Sequence, residues 1–224
     1  MTAAVIATMS RMGRWKPDAP GRLQRAALGL YAEQGYDQTT VAEIAARAGL
    51  TERTFFRHFA DKREVLFDGA GRFEAAIVAP VDGAPPSATP LDAVGAGIEA
   101  AGSVLPALEL VRRRHAVILA NPELQERELI KLASLAASIA AALRRRGVTD
   151  TAAELAAQTG VAVLQVALAR WIGDPAEQPW EFHVREAIDE LYGLTANRST
   201  TTHGRRRTPT PKPARRRVGP STAE

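Results

Sequence analysis

The sequence contains no cysteine. That absence excludes disulfides, thiolate metal sites and thiol redox sensing, and it fits a reducing, cytoplasmic setting. Aromatic residues are scarce, at 5% of 224, so a core must come from aliphatic and small side chains, which suits closely packed helices better than sheets. Long apolar runs are missing too. No uninterrupted stretch of about 18 apolar residues occurs, so no membrane-spanning segment is expected. The opening MTAAVIATM is short and lacks the basic start of a signal peptide. His58, His115, His183 and His203 lie far apart, with no HxxxH or Glu-x-x-His pair, so no metal site is expected. GxSxG, P-loop and GxGxxG patterns are likewise absent. Neither an enzyme nor a bound cofactor is anticipated.

What the chain does hold is 46% hydrophobic residues, enough for a sizeable core. It also holds three dovetailed helix signals within 39–66, TTVAEIAARAGLTERTFFRHFADKREVL. Thr40-x-x-Glu43 is a capping box opening a helix on Val41. Gly49 stands where that short helix must stop and turn. Thr51 caps a second helix, Glu52 to His58, and Asp61-x-x-Glu64 resembles a capping box for a third. Two helices joined by a tight Gly-containing turn form a helix-turn-helix, whose second helix enters the DNA major groove. In that second helix Phe55 and Phe59 are four apart and can be buried together, while Thr51, Arg53, Thr54, Arg57 and His58 offer donors to phosphates and base edges. Lys62 and Arg63 follow at the next helix start.

This segment resembles the DNA-binding stretch of the TetR family of bacterial transcriptional regulators. The family pattern is carried by Thr39-Thr40, by Ile44-Ala45-Ala46-Arg47-Ala48-Gly49-Leu50, by Thr54-Phe55-Phe56-Arg57-His58-Phe59, and by Lys62 to Leu66, within residues 20–67. Phe56 departs from it, since the family commonly has Tyr there. Phe lacks a hydroxyl for phosphate but can pack on a thymine methyl or a sugar. Together, the residues and the resemblance assign DNA contact to Thr39, Thr40, Thr51, Glu52, Arg53, Thr54, Phe56, Arg57, His58 and Lys62.

Charge is unevenly distributed. Residues 1–66 carry ten basic and seven acidic side chains, residues 196–224 eight basic and one acidic, and the stretch between is net −6. A basic head and tail flanking an acidic body are expected if the ends meet nucleic acid. The organisation read from punctuation is a flexible arm at 1–18 with Arg11, Arg14 and Lys16, then a helix-turn-helix unit at 19–66 that opens with a helix over 21–34. A helical body at 67–194 and a disordered Pro-, Thr- and Arg-rich tail at 195–224 complete it. Helices are expected over 65–79, 91–101, 104–120 and 122–146, with a loop at 80–90. Thr151-x-x-Glu154 is expected to cap a helix running to 172, and Pro179 to open the last. The fold class is therefore all-α, with about nine helices.

The run from Val161 to Ala169 is apolar nearly all round, so it belongs either to the core or to a subunit interface. The family resemblance implies the interface, a four-helix bundle built from the last two helices of each subunit. Val163, Val166, Ala169, Val184 and Ile188 are its candidates. Phe73, Leu108, Arg112, Leu132 and Trp171 are candidates for a ligand pocket, against a plainer reading as core or salt-bridged surface. The expected function is a homodimeric repressor, in the cytoplasm at the bacterial nucleoid. It would be released from a palindromic double-stranded operator by a small molecule of unknown identity. The alternative is an architectural, nucleoid-like DNA-binding protein with no inducer.

Overall fold

The computed structural model describes residues 18–196, and all of their regular structure is helical. Residues 1–17 of the arm and 197–224 of the basic tail, the ends expected to meet nucleic acid, lie outside the described residues, and the first two residues assigned to the tail belong to the last helix. Nine α-helices are described: α1 Ala19–Gln34, α2 Val41–Arg47, α3 Glu52–His58, α4 Ala70–Gly83, α5 Pro90–Ala100, α6 Leu108–Leu119, α7 Pro122–Arg145, α8 Asp150–Gly173 and α9 Trp180–Ala196. Short 3-10 turns sit at Glu64–Phe67 and Ala101–Val104. Contacts divide the described chain after Ile188, and the final turns of α9 form a separate unit.

The first three helices close around Leu23, Leu30, Ile44, Phe55 and Phe59, together with Val65 and Leu66 of the 3-10 turn. Ile118 at the end of α6 and Leu124 at the start of α7 are fully buried in the same cluster. The head core is thus completed by the body. In the body, α4 packs on α5 and α7, and α8 on α5 and α7. Small residues make this closeness workable: a Cβ on Gly97 of α5 would stand 2.5 Å from the Ile77 carbonyl oxygen on α4.

Several boundaries differ from expectation, each for a physical reason. The helix expected over 65–79 is broken at Gly69, whose φ of 86° no helix accommodates. Helix α4 then runs through Pro80 to Gly83 instead of ending before a loop. Val81 is fully buried there, and Asp82 is held by Arg145 at 2.5 Å, so tertiary contacts outweigh the lost amide. The helix expected over 104–120 starts only at Leu108, because Pro106 keeps Leu105 extended at ψ 139°. No capping box forms at Thr151. Instead α8 begins at Asp150, whose carboxylate accepts from Arg144 at 2.7 Å. By length and composition α8 would suffice to cross a membrane. Here, though, Ala153, Ala157, Gly160, Leu164, Ala167 and Trp171 are buried along one of its faces, as in a core helix.

Candidate DNA-reading site

The turn between α2 and α3 is built from the residues that announced it. Thr40 and Glu43 form the reciprocal box: the Glu43 amide donates to Thr40 Oγ1 at 3.2 Å and the Thr40 amide to Glu43 Oε2 at 2.8 Å. The Thr54 amide donates to Thr51 Oγ1 at 3.2 Å, capping α3. Gly49 takes a φ of 64° and lets the Leu50 amide reach the Ala45 carbonyl at 2.8 Å. Arg22 of α1 donates to the carbonyls of Ala48 and Gly49, fastening the turn to the first helix.

On that frame α3 turns Phe55 and Phe59 inward and leaves Glu52, Arg53, Phe56, Arg57 and His58 exposed. Phe56 is 55% exposed and stands edge-to-face on Phe55 at 5.5 Å. Arg57 lies 3.4 Å from the His58 ring nitrogen, so the two share one edge of the helix. The first turn carries Glu52, whose carboxylate can accept from a cytosine amino group.

Two of the residues expected to contact DNA make bonds within the chain. Thr39 is buried, its hydroxyl donating to the Gly35 carbonyl at 2.7 Å, so it shapes the α1–α2 connection. Lys62 directs its ammonium inward to the carbonyls of Tyr36, Asp37 and Thr39, at 2.9, 3.4 and 3.2 Å, and over the Tyr36 ring at 4.2 Å. An ammonium has three donors, and three carbonyls occupy them. Tyr31, buried beside it, donates to the Lys62 carbonyl at 2.7 Å. Burial, with help from Tyr36 and Asp61, pushes the Tyr31 phenol far above its usual range. Burial and the nearby Glu123 carboxylate push the Tyr36 phenol up to about 12.

Beyond α3, Asp61 caps the 3-10 turn by accepting from the Arg63 and Glu64 amides at 2.8 and 3.1 Å. The expected capping box is absent because the Glu64 carboxylate points instead to α7, onto Arg127 and onto Lys131 at 3.2 Å. Burial acts to raise the Glu64 pKa, but these two cations outweigh it and hold the carboxyl below its ordinary range. Arg114 of α6 donates to the Leu66 carbonyl at 2.8 Å, lies 5.0 Å over the Phe67 ring and reaches Glu128 at 3.4 Å. A surface groove of about 390 Å³ runs past this junction, lined by His58, Asp61, Arg63, Arg127 and Lys131 among others.

The residues suggested for a ligand pocket lie on several different elements. Phe73, Leu108 and Leu132 are half-buried on three different helices. Arg112 is a brace, donating to the carbonyls of Ile172 and Asp174 at 2.9 and 3.1 Å and to Glu177 at 3.1 Å. Trp171 is buried edge-to-face on Trp180 at 5.6 Å, and the Trp180 indole donates to the Ile98 carbonyl at 2.8 Å. None of the five lines the junction groove or a second cavity of about 370 Å³ beside Ala169, Asp174, Phe182 and His183. The interface candidates also divide. Val163 and Val184 are buried within the chain, and Ile188 lies over Gly95 of α5. Val166 is 44% exposed and Ala169 is exposed as well. Leu155 and Ala162 of α8, which the sequence pattern did not single out, share that outward face, and Phe182 of α9 is also exposed.

Residues 23–68 match the pattern of the bacterial regulatory proteins of the tetR family, and residues 88–195 match the MftR C-terminal domain. The chain belongs to the TetR family. It is a TetR-type transcriptional regulator with a helix-turn-helix DNA-binding unit. Over 79 residues it is 39% identical to the HTH-type transcriptional regulator TcmR of Streptomyces glaucescens, a match spanning 35% of each chain. Over 170 residues it is 29% identical to the "Putative mycofactocin biosynthesis transcriptional regulator MftR" of Mycobacterium tuberculosis, covering 74% of this chain and 85% of that one. Among solved structures, the fatty acid degradation regulator FadR from Bacillus halodurans shares the fold, with a TM-score of 0.55, 19% identity, and coverage of 80% and 96%.

Proposed function

We propose that this TetR-type regulator acts as a homodimeric repressor that binds a palindromic operator and is released from it by a small molecule bound in the body. The observation carrying this reading is the construction of α3. It is a short helix, capped at its start and anchored by two buried rings, whose outward face presents Arg53, Phe56, Arg57 and His58 to solvent. Arg53 and Arg57 are suited to guanine O6 and N7 or to phosphate, Thr54 to either, and Phe56 to a thymine methyl. Thr40 and Thr51, exposed at the starts of α2 and α3, sit where helix N-termini meet phosphates.

Dimerisation is supported by the outward face of α8. Leu155, Ala162, Val166 and Ala169 recur there at helical spacing, with Leu155 64% and Val166 44% exposed. A two-fold dimer pairing such faces would present two reading heads to two half-sites. Selection of bound DNA from a random pool, followed by footprinting, tests the whole reading. A discrete palindrome protected over both half-sites is expected. Uniform coverage without a selected sequence would overturn it in favour of an architectural DNA-binding role.

A further inference from the structure

The chain passes from the reading helices into the body through the four residues Glu64–Phe67. Two kinds of contact hold that turn. Val65, Leu66 and Phe67 are buried in the core that Ile118 and Leu124 complete. Apolar burial of this kind is non-directional and tolerates small rotations of one part on the other. The second kind is directional. Glu64 Oε1 accepts from Arg127 Nε and Glu64 Oε2 from Lys131 Nζ at 3.2 Å, so each carboxylate oxygen has its own cation on α7. From α6, Arg114 grips the Leu66 carbonyl at 2.8 Å and is steadied by Glu128. The Glu64 side chain is 20% exposed, and its partners are about one-third exposed, so water screens the clamp only in part.

We infer that Glu64, with Arg127, Lys131 and Arg114, is a positioning device that sets the angle of the reading head on the body. Through that angle it sets the half-site spacing that the dimer accepts. This second clause rests on the palindromic-dimer reading above. None of these four residues lies on α3, and none is a member of the head's buried apolar cluster. Charged hydrogen bonds made at two points of one carboxylate constrain direction as well as distance, which the surrounding apolar contacts do not.

The test uses the full chain, which has no native cysteine to compete for labels. Spin labels at Gln38→Cys in the head and Ser134→Cys in the body report the head-to-body distance within one subunit when labelled protein is diluted with unlabelled. The substitution E64Q keeps the shape of the side chain and removes its charge. The expected result is a broadened distance distribution for E64Q, a smaller effect for K131Q, and an unchanged helical spectrum for both. On operators whose selected half-sites are moved apart or together by single base pairs, E64Q should bind the preferred spacing nearly as well as the parent. Its discrimination against wrong spacings should fall about fivefold, as expected when both partly screened ion pairs of the carboxylate are lost. An unchanged distance distribution in E64Q overturns the positioning role, whatever the DNA results. A broadened distribution in a protein whose parent shows no preferred spacing upholds the clamp and overturns the palindromic-dimer reading instead.

Discussion

Arg53 and Lys62 are both cations of the helix-turn-helix segment, yet their surroundings differ. Arg53 stands exposed on α3, while Lys62 caps three carbonyls of the α1–α2 connection. Arg53→Ala is expected to weaken binding to the selected operator by about 1–3 kcal/mol and to relax its sequence preference, as loss of a base-edge contact does. Lys62→Met should lower the thermal midpoint and reduce binding to all DNA alike. Equal losses on operator and random DNA for Arg53→Ala would exclude base reading. Tyr31 supplies a pH test at the same scale. Its folded pKa is raised by burial, so its stabilising contribution is complete below the unfolded value of about 10 and disappears as pH rises beyond it. Thermal melts should therefore lose midpoint steeply above about pH 10, and Tyr31→Phe should flatten that slope. An identical slope in the variant would rule Tyr31 out as the source. The intrachain partners of Thr39 and Lys62 were not legible in the sequence. Outward donors and inward ones look alike in a string of letters, and the Lys62 contacts join residues about 25 apart, a separation that local spacing does not encode.

At the scale of the element, what was legible was whatever is local. The caps of α2 and α3 and the stop at Gly49 are chemistry between residues three to five apart, and they stand where the spacing put them. The all-α class followed from repeated caps and helical stripes. The misjudged boundaries needed partners from elsewhere: Arg145 holding Asp82 past Pro80, and α7 drawing Glu64 out of its expected cap. The apolar run in α8 was ambiguous because nearly every face of it is greasy. Folding resolves that ambiguity by turning Val163 inward and Val166 outward. A charge at each position separates the two consequences. Val166→Asp should leave helix content intact and shift sedimentation from dimer to monomer. Val163→Asp should instead unfold the chain, since an unpaired buried carboxylate costs several kcal/mol. A Val166→Asp protein that sediments as a dimer would remove this face from the interface.

For the whole molecule, the charge distribution makes a prediction of its own. Residues 196–224 carry eight Lys/Arg and one acidic residue, and truncation after Ala196 removes all nine while leaving every described helix whole. If the tail neutralises about four phosphates per subunit, a plot of log affinity against log salt should flatten by about 0.9 for each lost contact. Affinity for random DNA should fall, while preference for operator over random DNA should hold or rise. An unchanged slope would leave the tail with no part in DNA binding.

Helix α7 reaches across these scales. It begins inside the head core at Leu124, clamps the 3-10 turn with Arg127 and Lys131, meets α4 where Ser138 donates to Glu74 at 2.5 Å, and ends at Arg145 on Asp82. Its 24 residues make a rod about 36 Å long at 1.5 Å per residue. Pivoted near Arg145, such a rod tilted by only about 5° carries its far end, and the head keyed to it, through about 3 Å. That is close to the rise of one base pair, so on the proposed palindromic reading a small adjustment at the far end of the body would be geared up into a step large enough to move a reading head out of register with its half-site.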